Sequence, residues 1–104
     1  MSAELQERWN THRAADWPRF SSAFQGELMT LDTVISGCVA YYLDNPDGLD
    51  EQRRGILESC RQDLDGLVPD LPENALPYFL QLVDLAACLS RLSQAPHTGE
   101  AQGI

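Results

Sequence analysis

The sequence predicts an all-α fold, a single-domain antiparallel bundle of about four helices. Apolar residues recur at alternating spacings of three and four along most of the chain. Clusters of Pro, Gly, Asn and Asp interrupt that pattern, and no convincing segment alternates apolar with polar as a half-buried strand would. At 104 residues the chain has the length of one domain, so a second independent core is not expected. Its 43% apolar and 22% charged composition is that of a folding globular chain rather than a disordered one.

The first helix is expected over residues 2–14, where Leu5, Trp9 and His12 share one side. Asp16 then precedes Trp17-Pro18. Proline suits a first helical turn, because its missing N–H has no partner there, so a second helix is expected over 17–43. Phe24, Leu28, Leu31, Ile35, Cys38 and Tyr42 form its seam, widened by Val34 and Val39, with Gln25, Asp32, Thr33 and Ser36 opposite. Gly26 and Gly37 interrupt that helix, at about 1 kcal/mol each relative to Ala, so a break near Gly26 or a close helix contact is one reading.

The turn formers Asp44, Asn45, Pro46, Asp47 and Gly48 end the second helix. A third follows over 49–65, with an apolar stripe of Leu49, Ile56, Leu57, Cys60 and Leu64. Asp50 and Glu51 suit its positive N-terminal end, and Gly66 suits a C-terminal stop. Pro69, Pro72 and Pro77 punctuate the next connection. The last helix starts between Pro72 and Pro77 and runs to about Gln94, so the bundle domain spans 1–94 and the polar segment 95–104 reads as a flexible tail.

That last helix has two apolar sides. One carries Leu76, Phe79, Leu80, Val83 and Ala87, and the other carries Tyr78, Leu82, Leu85, Leu89 and Leu92, leaving Asp84 and Arg91 as the polar strip. A helix this apolar either sits at the centre of the bundle or presents a second contact surface. The side Tyr78, Leu82, Leu85, Leu89 and Leu92 is accordingly the candidate interface.

Charge narrows the functional classes. The formal net charge is −9, and the seven basic residues are all Arg. Without Lys there is no Schiff-base chemistry, and the acidic surface has little with which to grip a phosphate backbone, so nucleic acid is not an expected partner. The N-terminal residues lack the basic start and apolar core of a secretory signal, and no apolar run reaches about 18 residues, so a soluble, cytoplasmic protein away from membranes is expected. Cys38, Cys60 and Cys88 are odd in number and widely separated, which suits free thiols.

Motifs for chemistry are thin. Cys38 and Cys60 fall in apolar stripes, His97 falls in the tail, and His12 reads as capping or flanking a helix, so no metal site is expected. Aligning Gly66 with the sixth position of a calcium loop puts Arg61 and Pro72 where carboxylates are needed, and aligning Gly48 puts Leu43 at the first position. Glu4 and Glu7 form an ExxE pair, but no Glu-x-x-His motif faces it, and a solvated face is the simpler reading. No nucleophile elbow or phosphate-cradling loop is present. Arg53, amid its helix's apolar stripe, reads as a snorkelling side chain.

Missing chemistry and a two-sided last helix together point to a non-catalytic protein interaction module of adaptor, inhibitor, chaperone or antitoxin type, self-associating as a homodimer and needing no cofactor. The alternative is a helical bundle binding a small ligand or metal, enzymatic in the strongest version, with Trp9, Trp17, Tyr41, Tyr42, Tyr78 and Phe79 lining an apolar pocket.

Overall fold

In the computed structural model the described residues are 3–45 and 47–102, with side chains described through Ser93. Four helices form an up-down-up-down bundle: α1 (Ala3–Ala14), α2 (Gln25–Asp44), α3 (Glu51–Leu67) and α4 (Leu76–Gln102), with a 3-10 turn at Val68–Asp70. No strand occurs among the described residues. The expected all-α bundle is the fold observed.

α4 is the central helix and packs against α1, α2 and α3. Its direction relative to α1 is fixed by two ion pairs and a ring contact: Arg91 meets Glu4, Arg8 meets Asp84, and Tyr78 meets His12. Phe79, Leu82, Leu85, Ala86, Cys88 and Leu89 of α4 are fully buried with Leu28, Ile35 and Val39 of α2, Leu57 and Leu64 of α3, and Leu5 of α1. Burying a Leu side chain stabilises by about 2 kcal/mol, so this apolar contact is the main force holding the bundle together.

Four element boundaries differ from those expected. The second helix starts at Gln25 rather than at residue 17. Residues 15–24 instead run as a connection whose aromatic rings reach the core. Trp17 stands edge-on to Tyr78 and Phe79 at 5.4 Å, and Phe20 packs on Phe79 at 5.8 Å. The Asn74 side-chain amide donates to the Arg19 carbonyl at 2.6 Å, and Ser22 Oγ accepts from the Phe24 N–H. Pro18 biases the residue before it away from helical backbone, and these contacts satisfy the extended path.

The third helix begins two residues later than expected, at Glu51, with Asp50 as its cap accepting from the Arg53 N–H at 2.7 Å. It passes through Gly66 to Leu67. Among the described residues only Gly48 adopts a positive φ, at +114°, in the turn where its N–H meets the Asn45 carbonyl. Gly66 therefore provides no left-handed stop. The fourth helix likewise does not end at about Gln94: its described backbone continues to Gln102. The side chains of the expected tail lie outside the described residues.

Candidate functional site

The side of α4 read as a contact surface is bundle interior. Leu82, Leu85 and Leu89 are fully buried, while Tyr78 and Leu92 are half-buried and packed against the core. Of the two alternatives for so apolar a helix, central placement accounts for these residues, because α1, α2 and α3 all pack against α4 and cover this side, whereas Leu80 of the other side is 47% exposed. On the outside, α4 exposes Pro77, Leu80, Gln81, Asp84 and Arg91.

The outer face of α2 is different. Gly26, Met29, Thr30, Thr33, Gly37 and Ala40 are all exposed and lie within one arc of the helix. None carries a charge, on a chain whose net charge is −9. Met29 is 53% exposed. Neither Gly26 nor Gly37 faces another atom where a Cβ would stand. Nothing in the chain's own packing therefore requires a glycine at either place.

Where α1, α2 and α4 meet lies a cluster of polar side chains. His12, only 5% exposed, donates from Nε2 to Asp32 Oδ1 at 2.7 Å. The Tyr78 hydroxyl donates to the other oxygen, Asp32 Oδ2, and Ser36 Oγ donates to Oδ1 at 3.3 Å. Burial by itself would raise the Asp32 carboxyl, but the hydrogen bonds from His12, Tyr78 and Ser36 outweigh it and hold Asp32 below the ordinary carboxylate range. Burial and the Asp32 carboxylate together push the Tyr78 phenol far above its ordinary range.

Asp32 is thus an ionised acceptor at neutral pH, which assigns the proton on the facing edge of the imidazole to Nε2. The opposite nitrogen, His12 Nδ1, is buried without any hydrogen-bond partner. An unpaired polar atom in such a place costs on the order of 1 to 3 kcal/mol. Around this cluster, Trp9, Arg13, Ala15, Thr33 and the cluster residues line an open groove of about 360 Å³. Trp9 stacks on the His12 ring at 6.4 Å, and Arg13 lies over the Trp9 ring at 5.7 Å.

A second polar cluster joins α3 to α4. Ser90 Oγ, on a side chain 4% exposed, donates to Glu58, and Arg61 donates to Glu58 at 2.8 Å and to Ser90 Oγ at 3.1 Å. The thiols lie elsewhere and are inert by environment. Burial pushes Cys38, Cys60 and Cys88 above the usual thiol range, so none is poised as a thiolate nucleophile.

Of the six aromatic residues expected to line a pocket, Trp9 and Tyr78 line the open groove, and Trp17, Tyr41, Tyr42 and Phe79 do not. Trp17, Tyr78 and Phe79 pack on one another as core, and Tyr41 lies beneath the Arg53 guanidinium at 3.8 Å. Arg53 also pairs with Asp50 at 2.7 Å, which accounts for its place on the helix stripe. Glu4 is exposed and pairs with Arg8, and no group of three His, Cys, Asp or Glu side chains suited to a metal occurs among the described residues.

His12 neither caps nor flanks its helix, as the sequence had suggested, but is buried against Asp32. The helical signal that placed it beside Leu5 and Trp9 pointed inward, and only the polar ring argued for an end. Asp32 was placed with solvent-facing residues, because periodicity cannot register a carboxylate that is received by another helix. No family model matches the chain, and neither a curated protein nor a solved structure matches it. No helix is long and apolar enough to cross a membrane among the described residues.

Proposed function

We propose that the protein is a non-catalytic helical interaction module that pairs with a second copy of itself through the outer face of α2. The uncharged arc from Gly26 to Ala40 carries this reading. Two chains of −9 repel wherever their carboxylates meet, so contact is cheapest where neither brings a charge. A basic partner would be drawn to the acidic surface instead.

Small residues on that arc suit close approach of two backbones. A helical glycine costs about 1 kcal/mol relative to Ala. The open surroundings of Gly26 and Gly37 leave intermolecular contact as the use that offsets this cost. Met29 adds a flexible apolar side chain able to fill gaps between two such faces. The contact would be isologous, with the same face contributed by each copy.

Light scattering coupled to size exclusion tests this reading. The 11.6 kDa chain should shift toward twice its mass as concentration rises, and added salt should strengthen pairing by screening repulsion. Met29→Glu places charge in the middle of the arc and should hold the chain at monomer mass with its helical circular dichroism unchanged. A wild-type chain that stays monomeric at millimolar concentration and high salt would remove the reading.

A further inference from the structure

We propose that the groove between α1, α2 and the first turn of α4 binds a small hydroxylated carboxylic acid, with its hydroxyl donating to His12 Nδ1 and its carboxylate meeting Arg13. The site is independent of pairing through α2. Two unmatched groups define the ligand.

The first is the imidazole. Asp32 accepts from His12 Nε2, Ser36 and Tyr78, so its oxygens are occupied and its partners are fixed. The ring is thereby held in one orientation and, when neutral, in one tautomer, with Nδ1 as a lone-pair acceptor. That nitrogen is buried and has no donor, on a side chain that is 5% exposed and lines the groove. Asp32 accounts for Nε2 and for the tie that His12 makes between α1 and α2, which leaves Nδ1 as the ring nitrogen that a donor from outside the chain would satisfy.

The second is the cation. Arg13 is exposed, lies over the Trp9 ring and makes no ion pair with a carboxylate among the described residues. Arg8, Arg53, Arg61 and Arg91 each meet a Glu or Asp; Arg19 and Arg54 also make no ion pair among the described residues, but of these three only Arg13 lines the groove. A guanidinium at the lip of a groove matches a carboxylate, and its pairing with the Trp9 face keeps it preorganised. Trp9 and Tyr78 supply apolar wall, and Thr33 supplies a hydroxyl at the rim. A metal ion is a poorer match, because no third ligating side chain joins His12 and Asp32 among the described residues.

The test uses lactate and mandelate as probes, with propionate and phenylacetate as counterparts lacking the hydroxyl. Titrations followed by nitrogen NMR of the histidine-labelled native chain report on Nδ1 directly. The hydroxy acids should bind about tenfold more tightly than their counterparts, the gain expected for satisfying one buried acceptor. The Nδ1 resonance should move in the direction of an accepted hydrogen bond while Nε2 stays protonated. Arg13→Gln should weaken all four acids, and His12→Phe should abolish the preference for the hydroxyl.

Equal affinity for the two series, no binding at millimolar concentration, or saturation without movement of Nδ1 would each overturn the proposal. An Nδ1 already showing a hydrogen bond in the unliganded chain would overturn it as well, because a resident water would then be the donor. The NMR readout is made on the native sequence, so it decides the matter even if a substituted chain fails to fold.

Discussion

Two polar clusters join α4 to its neighbours, and they use nearly the same chemistry. At one, Asp32 receives the Tyr78 hydroxyl and the His12 ring; at the other, Glu58 receives the Ser90 hydroxyl and the Arg61 guanidinium. Their settings differ in two ways. His12 and Asp32 are 5% and 15% exposed on their side chains, whereas Arg61 and Glu58 are 33% and 36% exposed. Asp32 also collects donors from three helices, whereas Arg61 and Glu58 sit three residues apart on α3 and pair there without help from α4.

Water access and provenance therefore decide what each cluster contributes. Removing the acceptor from a dry cluster strands its donors, while in a wet cluster solvent replaces it. The dry cluster is also the principal polar tie on α1. Leu5 and His12 are the buried residues of α1, Trp9 packs half-buried against the core, and the ion pairs of Arg8 with Asp84 and Glu4 with Arg91 are exposed. The placement of α1 thus depends on these three side chains far more than on its ion pairs.

Asp32→Ala should produce the largest effect. It leaves the His12 N–H and the Tyr78 hydroxyl without their acceptor, and should lower the unfolding free energy by about 3 kcal/mol, read from the urea midpoint. Hydrogen exchange should show α1 losing protection first. A loss below about 1 kcal/mol would mean that water reaches the cluster after all, and would erase the contrast.

Acidity sharpens the comparison at intermediate size. The folded-state pKa of Asp32 lies below its ordinary value, so across the interval between them the folded chain binds fewer protons than the unfolded one. The stability from Asp32 is complete above the ordinary carboxylate value of about 4 and is lost as the pH falls through the lower, folded value. Tyr78 behaves oppositely, because its pKa is raised on folding. Its contribution is complete below the ordinary phenol value of about 10 and is lost as the pH rises beyond it. Denaturation curves of wild type and Asp32→Asn should diverge by less at acid pH than at neutral pH; curves offset equally at every pH would contradict this assignment.

Glu58→Ala should give the smallest change, about 1 kcal/mol, because the Arg61 pair it breaks is one-third exposed and contributes little, while the buried Ser90 hydroxyl loses its Glu58 acceptor. A loss approaching that of Asp32→Ala would place the α3–α4 cluster in the dry class.

Much of this architecture was legible residue by residue. The seam of Leu28, Leu31, Ile35 and Cys38 and the stripe of Leu57 and Leu64 are buried as their spacing requires, and the turn after Asp44 falls at its Asn and Gly. The same spacing overreached at Phe24 and Ile56, which are 38% and 40% exposed. It also extended the second helix back to residue 17, because Trp17 and Phe20 match a helical stripe as well as they match two rings inserted from a loop.

The candidate sites were less legible for a related reason. The uncharged outer arc of α2 is present in the sequence as a helix face free of Asp, Glu and Arg from residue 26 to 40, but periodicity by itself does not separate such an arc from an ordinary solvated face. Local chemistry determined the helices, the acidic surface and most of the core, since period and turn propensity act within a few residues. Only the tertiary structure decided which apolar side of α4 would be covered, and which donors would find Asp32 across 20 and 46 positions of chain. Those meetings depend on how helices dock, and docking is set by the summed burial of many side chains rather than by any one residue's neighbours in sequence.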